Sequence, residues 1–354
     1  MIFTFVNPVA DNMGESDKMI HTLTIKYRIL SAREFDEIYK GLEARTGKKP
    51  RKIAIGEYKT EELRELGLSE IILTSKKIDT SKYKYNFMEI TIRVNPVKLI
   101  GANKLEVLKH DQVEVVKKIF RQEVQKIHTN LPRLEHWTVN RIDYAVNINT
   151  PYVEEYIKLF QRADKPRVFR DWDVSRRKQR YGSFYLISEG VNINFYDKES
   201  ERLSQNFNKD GAKDLLRIEV QCKKPKTNTL KTKYEFDSRH LEHYLSEEVS
   251  YQQLEYYYNK TIGAGDYYKL SEAIKMVKES NYTSKTKEKL TEVLIAVNRC
   301  RSIWKAREES QYNSSRFNRY LKQIRALGVN PVTIPTRWKV KFLPGLEIQR
   351  LKKL

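Results

Sequence analysis

The feature that most constrains this chain is where polar residues fall within its strand-like segments. In WTVNRIDYAVNI, from Trp137 to Ile148, the apolar residues Ile142, Tyr144, Val146 and Ile148 alternate, so Arg141 and Asp143 point together to the opposite side. The same pattern recurs in DLLRIEVQC, where Leu216, Ile218 and Val220 oppose Arg217, Glu219 and Gln221. In VNINFYDK, Val191, Ile193 and Phe195 oppose Asn194, Tyr196 and Lys198, and in NFMEITIRV, Met88, Ile90, Ile92 and Val94 oppose Glu89, Thr91 and Arg93. A single strand of this kind is ordinary amphipathicity with a wet polar face. Four of them in one sheet give a core on one side and a gathering of carboxylates, cations and a tyrosine on the other. Carboxylates brought together repel unless a divalent cation neutralises them, and oxygen ligands suit Mg²⁺ or Mn²⁺. Asp143, Glu219 and Glu89 are therefore the candidate metal ligands.

Strand signals run through Ile20–Leu30, Glu70–Ser75, Tyr85–Val94, Trp137–Ile148, Ser183–Ser188, Val191–Asp197 and Leu215–Cys222, all rich in β-branched and aromatic residues. One helix interrupts them: Asp111 reads as its N-cap, followed by Val116, Ile119, Phe120, Val124 and Ile127 at spacings of three and four. From about His240 the texture turns helical, over Ser271–Lys278, Ser284–Cys300 and Ser315–Leu327, the last stopped by Gly328. The expected fold class is α+β: an antiparallel or mixed sheet with packed helices over residues 1–240, then a smaller helical domain over 241–354 ending in an extended basic tail.

Charge narrows the partners. Lys and Arg number 67 against 46 Asp and Glu, a net +21, and the commonest polyanion that matches such an excess is nucleic acid. The basic residues cluster between Arg162 and Tyr181, including Arg176, Arg177, Lys178 and Arg180, and again in KKPKTNTLKTK from Lys223 and Lys224 onward. Together with Arg141 and Arg217 on the polar strand faces, these are read as DNA contacts, the clusters as phosphate-binding loops. Two cysteines far apart indicate neither a disulfide scaffold nor a zinc module, and neither a signal peptide nor an 18-residue apolar stretch stands out. A cytoplasmic protein without a membrane partner is expected.

The segment GSFYLISEGVNINFYDK reads as a β-hairpin turning at Glu189 and Gly190, and it lies between the Asp143 and Glu219 segments in sequence. It carries two tyrosines, Tyr185 and Tyr196, either of whose hydroxyls could face a metal. Tyrosine suits a nucleophile because a phosphotyrosyl ester stores the energy of the cleaved bond for rejoining.

At these residues the chain resembles a family. WTVNRIDYAVNI, INFYDKE and LLRIEVQ, with NPVKLIGANKLEV upstream and LGVNPVTIP near the end, are similar to the phage and plasmid replication proteins of the gene II and gene X type. More distantly they resemble rolling-circle replication initiators and conjugative relaxases. The resemblance covers about residues 85–340. It implies a divalent-metal-dependent endonuclease and strand transferase that nicks one strand at an origin, stays linked to the 5′ phosphate and works with host helicase and replication machinery. It matches Asp143 and Glu219 to metal ligands, Lys198 to a phosphate-facing cation and Tyr185 to the nucleophile, with Tyr196 in reserve. One departure stands out. The histidine-hydrophobe-histidine motif of many such nucleases is absent, and of six histidines the pair His240 and His243 falls outside the strands, as helix-surface residues. A carboxylate-only site is implied. A relaxase shares this chemistry, and a non-enzymatic DNA-binding replication or regulatory protein is the alternative from another class. No Walker A loop is present, so unwinding is expected from a host helicase.

Overall fold

A computed structural model describes residues 18–79, 84–102, 105–169, 182–204, 211–346 and 348. It is a mixed α+β structure organised around one large antiparallel sheet. In chain order the elements begin β1 (Lys18–Ile29), α1 (Ala32–Thr46), β2 (Arg51–Ala54), β3 (Glu57–Thr60), β4 (Leu68–Asp79), β5 (Lys84–Val94), α2 (Pro96–Leu99) and α3 (Val113–Gln125). They continue with β6 (Thr138–Asn149), α4 (Val153–Phe160), β7 (Ser183–Ile187), β8 (Val191–Asp197), α5 (Lys198–Ser204), β9 (Leu215–Lys223) and α6 (Lys224–Lys233). Then follow α7 (Glu247–Thr261), β10 (Tyr267–Tyr268), α8 (Leu270–Glu279), α9 (Ser284–Cys300), α10 (Ile303–Glu308), α11 (Ser314–Ala326) and β11 (Phe342–Leu343).

Nine strands form one sheet in the order β2-β3-β4-β5-β1-β6-β9-β8-β7, while β10 and β11 make a separate small pair. Every described pairing in the large sheet is antiparallel. The seven strands expected from alternation are all present, and the turn through Glu189 and Gly190 joins β7 to β8, with Ser188 N–H donating to the Val191 carbonyl. Alternation worked because one face of each strand is buried: Ile142, Tyr144 and Val146 of β6, and Ile218 and Val220 of β9, are at most 1% exposed.

Local chemistry differs from expectation at two helices. Asp111 lies inside a short 3-10 turn, His110–Gln112, and α3 begins only at Val113. The lysine-rich Lys224–Lys233 segment, expected as a loop, is α6: Pro225 occupies its first turn, and Thr227 and Leu230 are buried.

The helices of the C-terminal region pack on one another, α8, α10 and α11 against α9, and their buried residues are continuous with those of the sheet. Residues from Ile20 to Ile348 belong to a single hydrophobic cluster that spans the proposed boundary at 240. Helix α7 packs on β1, β6 and β9, with Val249, Leu254, Tyr257 and Tyr258 buried, and the Tyr144 hydroxyl donates to the Tyr244 carbonyl at 3.0 Å. An apolar sheet face must be covered, and here α7 covers part of it. Among the described residues no helix is long and apolar enough to cross a membrane.

Candidate active site

Strand register assembles the polar face as rows of side chains. One row runs Tyr185, Asn194, Glu219 and Ala145 across β7, β8, β9 and β6. On one side of it lies Ser183, Tyr196, Arg217 and Asn147; on the other, Asn192, Gln221, Asp143 and, on β1, Thr22. Asp143 and Glu219, placed on one face by alternation, sit diagonally across neighbouring strands through the register of β6 on β9.

A residue outside the expected set joins them. The apolar positions Ile20, Leu23 and Ile25 are spaced three and then two, and the register of β1 against β6 slips between Ile20 and Thr22. That bulge re-aims His21. Ala145, the residue on β6 directly opposite Glu219, has only a methyl group, so the imidazole reaches past it to place Nδ1 3.2 Å from Glu219 Oε2. The site is not carboxylate-only. The broken period in IHTLTIKY was the sequence signal for it.

Glu219 is the most densely held group on this face. It is 4% exposed and accepts from Gln221 Nε2 at 2.5 Å, the Tyr196 hydroxyl at 3.2 Å and Asn194 Nδ2 at 3.5 Å. Burial acts to raise its pKa, but the hydrogen bond and charge of His21, the Gln221 amide and Arg217 overcome it and hold the carboxyl well below the usual range. Burial also keeps His21 below its ordinary value, against the pull of Glu219. Asp143, 1% exposed, is pushed the other way: burial and the charge of Glu219 raise it to about 7, opposed by Arg141. Arg141 grips both Asp143 oxygens, Nε to Oδ1 and Nη2 to Oδ2, each at 2.7 Å. The fork occupies both oxygens of what was expected to be an open metal ligand.

The remaining expected residues separate. Glu89 is on the same face but opposite Arg28 and Thr74, where Lys26 Nζ holds it at 2.5 Å. That is six residues along β1 from Thr22, roughly 20 Å at strand rise, so Glu89 cannot share an ion with Glu219. Arg217, expected on DNA, is fully buried. Its Nε donates to Asn147 Oδ1 at 2.7 Å and its Nη2 to the carbonyls of Leu105 at 2.5 Å and Glu106 at 3.3 Å. It clamps the 105–106 segment over the sheet. Lys223 donates to the Ser188 carbonyl at 2.8 Å, whereas Lys224 is exposed. Arg176, Arg177, Lys178 and Arg180 lie outside the described residues.

The two tyrosines also divide. Tyr196 is 6% exposed, its hydroxyl spent on Glu219, and burial drives its phenol well above the ordinary value. Tyr185 stands in the Glu219 row, half-buried, and is raised less, by burial first.

Beside His21 opens a cleft of about 410 Å³ lined by Arg64, Arg93, Lys98, Lys198 and Arg202, with Glu70 and Glu201 as its acidic members. One wall depends on Gly67. At φ 86° it lets the turn carrying Arg64 approach α2 so closely that a Cβ would meet Leu99 N at 2.6 Å. Lys198 is buried and bonded to Glu201 at 2.8 Å, and burial lowers its pKa. Arg64 pairs with Glu61 and Lys98 with Glu65. Such pairs contribute little, so an entering phosphate can displace the carboxylates at small cost.

His21 Nδ1 and Glu219 Oε2 have the separation of neighbouring ligands on one small cation. One carboxylate completed by water and phosphate oxygens is a normal complement for Mg²⁺, and the imidazole nitrogen beside it favours Mn²⁺, a transition ion, over Mg²⁺. Among the described residues no third carboxylate or imidazole closes on this pair; the one such trio is elsewhere, at His136, His240 and Glu242. Against known proteins, the chain matches no family model and no curated sequence.

Proposed function

We propose that this protein is a DNA-nicking and strand-transferring enzyme of the rolling-circle initiator type, working through a tyrosine nucleophile and a divalent cation. The observation that carries the reading is Glu219. It is a buried carboxylate kept ionised at the centre of a polar sheet face, shared with His21 and aligned with Tyr185, and His21 lines a cationic cleft. Burying an ion costs several kcal/mol unless its partners compensate, and strongly perturbed carboxylates in clefts mark functional sites.

His21 and Glu219 would hold the cation, which when bound supplies Lewis acidity to a phosphate oxygen. The cleft cations draw the DNA backbone in and fix its register. Tyr196 and Gln221 orient Glu219, and Asp143 orients the Arg141 guanidinium. The Tyr185 oxygen attacks phosphorus, the bond to the 3′ oxygen breaks, and the phenolic proton ends on the released 3′ hydroxyl. The 5′ phosphate remains on Tyr185, and reversal of the step rejoins the strand. Origin DNA, single- and double-stranded, is the substrate, and a host helicase unwinds it.

The test is incubation with supercoiled DNA carrying the gene's flanking sequence, with Mn²⁺ or EDTA, followed by mass spectrometry of any protein–DNA adduct. The expected adduct is on Tyr185, dependent on metal and absent from Tyr185→Phe. An adduct on Tyr196 reverses the nucleophile. Tight DNA binding without any adduct under all conditions defeats the enzyme and leaves a DNA-binding protein.

A further inference from the structure

The boundary between the strand-rich region and the helical region carries a cluster that the nicking site does not use. His136 ends a 3-10 turn, Leu134–His136, just before β6; His240 and Glu242 lie at the start of the helical region, at the turn Leu241–Tyr244. Their ligand atoms all lie within 4.8 Å of one another, and His136 and Glu242 are exposed while His240 is half-buried. His243, three residues on from His240, bonds Asp237 at 2.7 Å, stacks on Phe236 and lies 3.8 Å from Glu242 Oε1.

The two segments that present this trio are locked together by their backbones. Thr138 and His240 form an antiparallel bridge, Val139 N–H donates to the Arg239 carbonyl at 2.8 Å, and Leu241 N–H donates to the Trp137 carbonyl at 2.9 Å. Between them Trp137 is fully buried, its indole N–H on the Pro132 carbonyl at 3.2 Å. The backbones under the donors are fixed, and only side chains need to turn, those of His136 and Glu242 being exposed. The His136 and His240 rings stand 6.1 Å apart at 79°. In a tetrahedral site, donors about 2.0–2.1 Å from zinc are roughly 3.3 Å from each other, so rotations of about an ångström close the trio on an ion.

We propose that His136, His240 and Glu242 form a second metal site, selective for Zn²⁺ or a similar borderline transition ion, that clamps the entry of β6 to the helical region. Two imidazoles and one carboxylate, with water in the fourth position, are a zinc donor set, whereas Mg²⁺ prefers oxygen alone. The site lies seven residues before Asp143, roughly 20 Å along the strand. It is therefore separate from the nicking site and independent of the reading given to it.

Metal-free full-length protein is titrated with Zn²⁺, and with Co²⁺ read by its visible absorption, in the presence of millimolar Mg²⁺. One zinc ion is expected to bind, raise the melting temperature and persist against Mg²⁺. His136→Ala and His240→Ala should each weaken binding at least about tenfold and abolish the thermal shift, and Glu242→Gln should weaken it less. Glu219→Gln, which alters only the nicking site, should leave it intact. Melting temperatures without metal verify that the histidine variants fold. Unchanged zinc affinity in both histidine variants, or no binding tighter than about 100 µM, overturns the proposal.

Discussion

The two halves of the nine-stranded sheet carry the same sequence pattern and put it to opposite uses. On β4, β5 and β1, polar-face carboxylates meet lysines in half-exposed pairs, as Glu89 meets Lys26 and Glu70 meets Lys59. On β6, β9 and β8, Asp143, Glu219 and Arg217 are buried and make multiple directed hydrogen bonds. The 105–106 segment closes over the second half through Arg217 and Asn147, both of which donate to the Leu105 carbonyl. Alternation alone puts a charge on a face; the cover decides whether that charge is a wet surface group or part of a site.

The comparison breaks first at activity. On the proposed function, Glu219→Gln should lower nicking by about a thousandfold or more, because the proposed cation loses its anionic ligand, while DNA binding in a mobility-shift assay stays within about threefold, as the proposed phosphate contacts are untouched. Retained nicking would place the metal elsewhere and reduce the buried half to scaffold.

It is sharpened next by stability. Arg141→Met removes the group that holds the raised Asp143 carboxyl down, so Asp143 takes up a proton and stays buried without its donors, and urea unfolding should report a loss of about 1–3 kcal/mol. If the loss is under about 1 kcal/mol, the cost that an unsatisfied buried carboxyl should carry is missing and the two halves do not differ as described.

The DNA surface follows. Lys224, Lys231 and Lys233 lie on α6, immediately after β9, with Lys224 and Lys233 exposed. Replacing all three by Gln should reduce the magnitude of the salt slope of DNA affinity by about three units. An unchanged slope would take α6 off the phosphate path and leave the cleft around Arg64 and Arg93 to carry it.

The smallest effect belongs to the open half. Glu89→Gln should cost less than about 1 kcal/mol, as half-exposed ion pairs do, and nick at close to the parent rate. A large loss of nicking in this variant would make Glu89 part of the chemistry in spite of its separation from Glu219.

Period-two alternation fixed all seven expected strands and assigned Arg141, Asp143, Arg217, Glu219, Asn194 and Tyr196 to one side of them. That side is a local property, set by the pleat and legible one strand at a time. Helices α9 and α11 were equally legible, because an apolar stripe at helical spacing and a stop such as Gly328, at φ 75°, are also local. Which polar residues meet was not local. His21 reaches Glu219, two strands away, only because a bulge on β1 coincides with the small Ala145 on the intervening β6, and Glu89 is excluded by position along a strand rather than by face. His136 and His240 come together through a backbone bridge across about a hundred residues of sequence. Burial of Arg217 and the sharing of one core by the sheet and α7 likewise depend on what packs against a face, which no single segment encodes. Strand identity and facing follow from backbone geometry within a few residues; partners, burial and charge state follow from register and cover between distant segments, and only the tertiary structure supplies those.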